Sequence, residues 1–178
     1  MIVLLVGMPG SGKDEFIKKA RELGIEVISM GDIVRDYTLS LGMELSNSNV
    51  GTVANEERKK NGMDIWAKRT LEKIKSERCV IDGIRNKEEI EYFKNNFKEK
   101  ITVVAILSSQ QTRFKRIMVR SRKDDAKNWN EFVEREKREL SWGLGNVIAL
   151  ADYYIINEGT LDEFRSRVEN FLKGLKDC

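Results

Sequence analysis

The stretch MIVLLVGMPGSGKDEF makes three successive demands on the backbone. The unbroken apolar run Ile2 to Val6 suits a strand covered on both faces, as in a parallel sheet flanked by helices. Gly7, Gly10 and Gly12 then allow a turn that brings the backbone close to whatever lies above it, and KDEF opens a helix with acidic residues in its first turn. A chain built around such a strand must supply helices to both sides of it. At 178 residues and 40% hydrophobic content there is enough material for one such core, and no second domain is required.

The remainder repeats that alternation. Short β-branched runs predict strands at Ile2–Val6, Glu26–Ser29, Cys79–Asp82, Ile101–Leu107 and Tyr153–Asn157. Amphipathic segments between them predict helices near Lys13–Leu23, Asp32–Leu41, Asp64–Ser76, Lys87–Asn96, Gln110–Val119, Asn130–Leu140 and Leu161–Leu175. The fold class this implies is α/β: a five-stranded parallel sheet with helices on both faces. Thr160 and Glu163 have the spacing of a capping box at the start of the last helix, and Asp32 is placed to cap the helix it begins. The segments LSNSNVG, 45 to 51, and SRKDDAKNWN, 121 to 130, are polar and irregular, the composition expected of mobile covers over a site.

Residues Gly7-Met8-Pro9-Gly10-Ser11-Gly12-Lys13 satisfy GxxxxGK in the context that gives the pattern its meaning, a buried strand before and a helix after. Backbone N–H groups freed by the glycines, the positive end of the helix and the Lys13 charge together form a phosphate site. The next position usually carries a Ser or Thr whose hydroxyl holds magnesium, yet here it is Asp14. A carboxylate about 5 Å from a phosphate charge, at an effective dielectric of about 20, is repelled by about 3 kcal/mol. Either Asp14 ligates magnesium, directly or through water, or it is a first-turn residue favoured by the helix dipole with the metal held elsewhere.

Composition narrows the chemistry. The chain has no histidine, which removes His-assisted hydrolysis and His-ligated zinc and leaves Lys, Arg, Asp and the backbone to act. The 32 basic and 29 acidic residues leave a net charge of +3, too small to argue for nucleic acid. Cys79 and Cys178 form neither a disulfide framework nor a metal-ligand spacing, and the apolar run at the start is too short to span a bilayer, so a cytoplasmic location without membrane association is the expectation. Trp66, Trp129 and Trp142 are expected in core or lid packing, with base stacking by Trp142 a lesser alternative.

Further motifs carry a resemblance. SMGDIVRD, 29 to 36, resembles the adenylate kinase segment STGDMLR. VIDGIRN, 80 to 86, is similar to LDGFPR without its proline. RFKRIMVRSR, 113 to 122, resembles an arginine-bearing lid hinge, and ADYYIINEGTLDEF, 151 to 164, the ending of dephospho-coenzyme A kinases. The combination, with GMPGSGK and the WG of ELSWG, is similar to an archaeal adenylate-kinase-related group within the P-loop nucleoside-monophosphate kinase superfamily.

That resemblance covers nearly the whole chain and implies a three-layer P-loop fold. It would form one domain over 1–178, with an acceptor-binding helical segment about 32–76 and a short lid about 116–140 that has no CxxC pairs. It implies ATP held by Gly7, Met8, Pro9, Gly10, Ser11, Gly12, Lys13 and Asp14, with magnesium at Asp14 and Asp82. A small phosphorylated or nucleotide-like acceptor would be held by Gly31, Asp32, Arg35 and Arg85. Lys13, Arg85, Arg116, Arg120 and Arg122 would act on the transferred group, with Arg135 and Arg138 as a second arginine pair of the lid. The residues themselves leave a plainer alternative open: Arg113, Arg116 and Arg120 have the spacing of a solvated helix face, and Arg122 has Asp124 and Asp125 beside it. A nucleotide-binding regulatory or RNA-associated ATPase is the competing function, disfavoured by the small net charge and by the lack of aromatics among the basic residues.

Overall fold

A computed structural model describes residues 1–175; the expectation for Cys178 lies outside them. The chain runs β1 (Ile2–Val6), α1 (Lys13–Glu22), β2 (Glu26–Ser29), α2 (Met30–Ser40), α3 (Asn47–Asn61), α4 (Ile65–Leu71) and β3 (Cys79–Asp82). It continues through α5 (Lys87–Asn96), β4 (Ile101–Leu107), α6 (Gln110–Arg120), α7 (Trp129–Ser141), α8 (Leu144–Ala149), β5 (Tyr153–Ile156) and α9 (Leu161–Gly174). All strand pairs are parallel, in the order β2-β3-β1-β4-β5. The strand carrying the glycine turn is therefore at the centre, with β3 and β4 on either side.

The unbroken apolar run of β1 is explained by the two cores it divides. Ile2, Leu4 and Val6 pack with Trp66, Ile81, Ile84 and Phe93 under α2 to α5 and α8. Val3 and Leu5 face the other way, against Phe16, Ile106, Phe164 and Leu172 under α1 and α9. A third cluster, Ile117, Ala126 and Phe132, lies between α6 and α7, where the Phe114 and Trp129 rings meet edge to face at 5.0 Å. The α6–α7 region thus carries a small core of its own. The expected packing roles of Trp66 and Trp129 are met, Trp66 being fully buried with its indole N–H donating to Ala54 O at 3.2 Å.

Several expected elements need correction. LSNSNVG is not an irregular cover: from Asn47 it forms the first turn of α3, which Ser46 caps by accepting the Asn49 N–H at 3.0 Å. Ser and Asn favour caps as strongly as loops, so composition alone misleads there. The helix expected from Asp64 to Ser76 stops at Leu71, because the Lys75 and Ser76 amides turn to the Glu26 carboxylate. The second helix begins at Met30, capped by Ser29 rather than Asp32. The last helix starts as expected, with the Thr160–Glu163 capping box formed. Among the described residues no helix is long and apolar enough to cross a membrane.

Candidate active site

The turn between β1 and α1 is held in shape from outside. Gly10 has φ +80°, and a Cβ there would lie 2.5 Å from the Arg113 carbonyl oxygen; at Gly12, with φ +109°, it would lie 2.1 Å from Asn157 Nδ2. The start of α6 and the end of β5 press on the loop at these two points, and glycine is what allows it. Ser11 O accepts from Asn157 Nδ2 at 2.9 Å and from Ser108 Oγ at 3.2 Å, fastening the loop to the ends of β5 and β4. Asn157 is therefore more than the end of a strand: it fixes the loop from below.

Lys13 points its ammonium back into the loop, donating to Gly7 O at 2.8 Å and Met8 O at 3.5 Å. Burial lowers its pKa to about 8, against the upward pull of Asp82; nearby Arg85 adds to the lowering. A lysine so desolvated gains much from an anion brought beside it. Ser11 is buried. Gly7, Met8 and Ser11 shape the loop, while Pro9, Gly10, Gly12, Lys13 and Asp14 form the wall of a cleft of about 470 Å³.

Asp82, at the end of β3, opens into the same cleft. One of its oxygens, Oδ1, is buried with no hydrogen-bond partner, and burial raises its pKa although Lys13 and Arg85 oppose this. Asp14 is paired instead. Arg120 Nη1 reaches its Oδ2 at 2.8 Å and Arg122 Nη2 its Oδ1 at 3.0 Å. Burial pushes the Asp14 pKa upward, but these two guanidinium groups outweigh it and hold the carboxyl below its usual value. An orphaned carboxylate oxygen beside a phosphate loop suits magnesium, which takes one or two carboxylates plus water and phosphate oxygens. Among the described residues no cluster of three or more acidic, Cys or His side chains forms a dedicated cage.

The remaining predicted residues arrive from four directions. Arg35 on α2 donates to Asp124 Oδ2 at 2.9 Å and to Asp32 Oδ1 at 2.8 Å, with Gly31 beside it in the wall. Arg85, after β3, pairs with Glu139 Oε2 at 2.8 Å. Arg120 binds both oxygens of the buried Asp125, at 2.9 and 2.5 Å, as well as Asp14. Arg135 bridges Asp125, at 3.4 Å, and Glu139, at 3.2 Å. Arg116 is the exception. It lies on the far side of the loop, bonded to Ser108 Oγ at 2.9 Å and Asn157 O at 3.0 Å, and lines no part of the cleft. Its expected contact with the transferred group gives way to a contact with the loop's support.

The basic stretch is thus not a solvated helix face. Arg113 is 6% exposed and pairs with Glu136 while donating to Pro9 O. Arg116 and Arg120 likewise turn to partners inside the molecule, whereas Lys115, Arg122 and Lys123 are exposed. Sequence reasoning missed Glu139, Asp124 and Asp125 as members of the site. Glu139 is fully enclosed, and its pKa falls to about 2: burial alone would raise it, but Arg85 and Arg135 bring it down. The i,i+4 spacing of Arg135 and Glu139 was its only local signal.

A family model described as AAA domain matches residues 6–133. The UPF0200 protein of Thermoplasma volcanium is 51% identical over 172 residues, covering 96% of each chain. The chain belongs to this AAA domain family and, within it, to the UPF0200 proteins. A UPF0200 protein of Methanococcus maripaludis is 41% identical over 98% of this chain and 97% of its own. Among solved structures, shikimate kinase from Bacteroides thetaiotaomicron superposes with a TM-score of 0.61 at 14% identity, covering 99% and 98% of the two chains. Shikimate kinase from Aquifex aeolicus gives 0.54 at 17% over 99% and 98%. These two establish a P-loop kinase-like fold for this UPF0200 member, and the expected resemblance to P-loop kinases is met.

Proposed function

We propose that this UPF0200 protein is a phosphotransferase that moves the γ-phosphoryl group of Mg-ATP to a small acceptor. The observation that carries the reading is the single cleft in which the phosphate loop, the orphaned Asp82 oxygen and the arginines of three other segments meet. Lys13 and the loop amides bind the donor phosphates; Asp82 would hold the magnesium that neutralises them, and Asp14, paired here with Arg120 and Arg122, is the second carboxylate within the cleft that could serve it. Arg35 and Arg85 orient the acceptor through planar, two-pronged contacts that a lysine cannot make. The acceptor oxygen bonds to the γ-phosphorus as the bridge to ADP breaks, the electron pair leaving on ADP and a hydroxyl proton passing to solvent. Closure of the α6–α7 region over the cleft excludes water, the competing acceptor.

The test is acceptor-dependent ADP formation across nucleoside monophosphates, deoxynucleotides, dephospho-coenzyme A and small hydroxy acids. One of them is expected to raise ADP release, and Lys13→Ala to abolish it together with ATP binding. Tight ATP binding that no acceptor stimulates, with salt-sensitive RNA binding, would replace this reading by a nucleotide-dependent regulatory one.

A further inference from the structure

Beyond Arg35 and Arg85 the cleft continues into an inner cavity of about 80 Å³ between α2, α3 and α7. Its apolar wall is Val34, Val50, Ala54, Trp66 and Trp142. Set into that wall are two arginines, Arg58 and Arg138; the second, expected from the resemblance as a lid arginine, lines this cavity and not the phosphate cleft. Arg58 is 4% exposed. Its Nη2 donates to Glu89 Oε1 at 2.9 Å and its Cζ lies 4.4 Å from the centre of the Trp142 ring, while Nε and Nη1 have no partner. Arg138 gives Nη2 to Asn47 Oδ1 at 2.9 Å and leaves Nε without a partner. It forms no ion pair among the described residues.

The local charge is unbalanced. Arg35, Arg85 and Arg135 meet Asp124, Asp125 and Glu139, so their charge is answered within the protein. Arg138 has only a neutral amide, and Arg58 shares one edge with Glu89 and keeps the rest free. Buried charged donors without acceptors are rare unless something else supplies the acceptor. The backbone also makes room for them: a Cβ at Gly51 would lie 2.4 Å from Arg138 Cζ, so any other residue there would displace the guanidinium.

We infer that the inner cavity is the far half of the acceptor site, and that the acceptor carries an anionic group of its own, a carboxylate or phosphate, bound by Arg58 and Arg138. Its compact body rests on Val50, Ala54 and Trp66, and its reacting oxygen faces Lys13. A neutral nucleobase placed there would leave Arg138 without an anion beside the Arg58–Glu89 pair. The inference rests on the phosphotransferase reading for the direction of the reacting oxygen, but the anion site itself does not depend on ATP.

Two binding measurements separate the questions. Benzoate and phenyl phosphate serve as flat anionic probes, benzamide and phenol as their neutral counterparts, each titrated against tryptophan fluorescence; ATP binding is followed separately by calorimetry. At least one anionic probe is expected to bind about 30-fold more tightly than its neutral counterpart, and comparison of the two distinguishes carboxylate from phosphate. Arg138→Met is expected to weaken that probe about 30-fold, the loss of one charge-assisted contact, with ATP affinity unchanged, and Arg138→Lys to recover part of it. Arg58→Met would strand the buried Glu89, so the paired variant Arg58→Met with Glu89→Gln is used, its melting curve compared with that of the parent. Equal binding of charged and neutral probes, or no probe binding while ATP still binds, overturns the inference and leaves the phosphotransferase reading standing. Anionic binding without ATP binding does the reverse.

Discussion

Gly10 and Gly24 both have positive φ, +80° and +70°, yet only at Gly10 would a side chain meet anything: the Arg113 carbonyl at 2.5 Å, against open space around Gly24. Alanine at Gly24 is expected to cost about 1 kcal/mol of backbone strain, whereas alanine at Gly10 adds a collision with backbone and should cost about 3 kcal/mol and most ATP affinity. Chemical denaturation and ATP titration of the two variants check this; equal losses would refute it. Lys13 supplies a second residue-scale expectation. With its pKa lowered to about 8, the loop lysine is partly neutral at pH 8.5, and phosphate charge beside it restores the proton. ATP binding should therefore take up protons between about pH 8 and 10, measured by calorimetry in buffers of different ionisation heat. No proton uptake across that range would refute it. The loop was legible in the sequence because its chemistry is local, glycines and a lysine at fixed offsets. Glu139 and Asp124 were not, since their partners Arg85 and Arg35 come from distant segments.

At the scale of elements, α7 is fastened to the sheet through Glu139. Its carboxyl, held at about 2, contributes stability in full above the ordinary carboxylate pKa and loses it as pH falls from about 4.5 to 2. Glu139→Gln should thus lower stability by about 3 kcal/mol at pH 7, leaving Arg85 and Arg135 without their anion, and flatten the acid limb of the stability curve. Urea unfolding across that pH range tests it; an unchanged acid limb would mean the load is carried by Asp125. The aromatic cluster of Phe114, Trp129 and Phe132 ties α6 to α7, so the closure proposed above would be a motion of the pair rather than of a loop. Helices with a clear apolar stripe were legible. By contrast α3 was not, because its buried residues are Gly51, Val53, Ala54 and Arg58, with a single branched apolar side chain and no long one to mark a stripe.

For the molecule as a whole, strand order sets a gradient of protection. The amides of β1, β3 and β4 lie inside the sheet, while β5 is an edge strand that leaves Tyr153, Tyr154 and Ile156 about half exposed. Hydrogen exchange should be slowest in the three inner strands and faster by at least tenfold in β5. Uniform protection would show that the edge is covered. The strand count and the parallel sheet could be read from the alternation of apolar runs and amphipathic segments. The order of the strands could not, because it depends on crossovers that leave no local trace.

That order also affects how the protein is made. Ile2 pairs with Cys79 and with Ile101, so the strand bearing the phosphate loop emerges from the ribosome long before either neighbour exists. At about 5 to 20 residues per second, IVLLV waits about 5 to 20 seconds as a bare apolar segment. The nucleotide site is synthesised early and assembled late. Its central strand is the part of the nascent chain most in need of shelter from self-association.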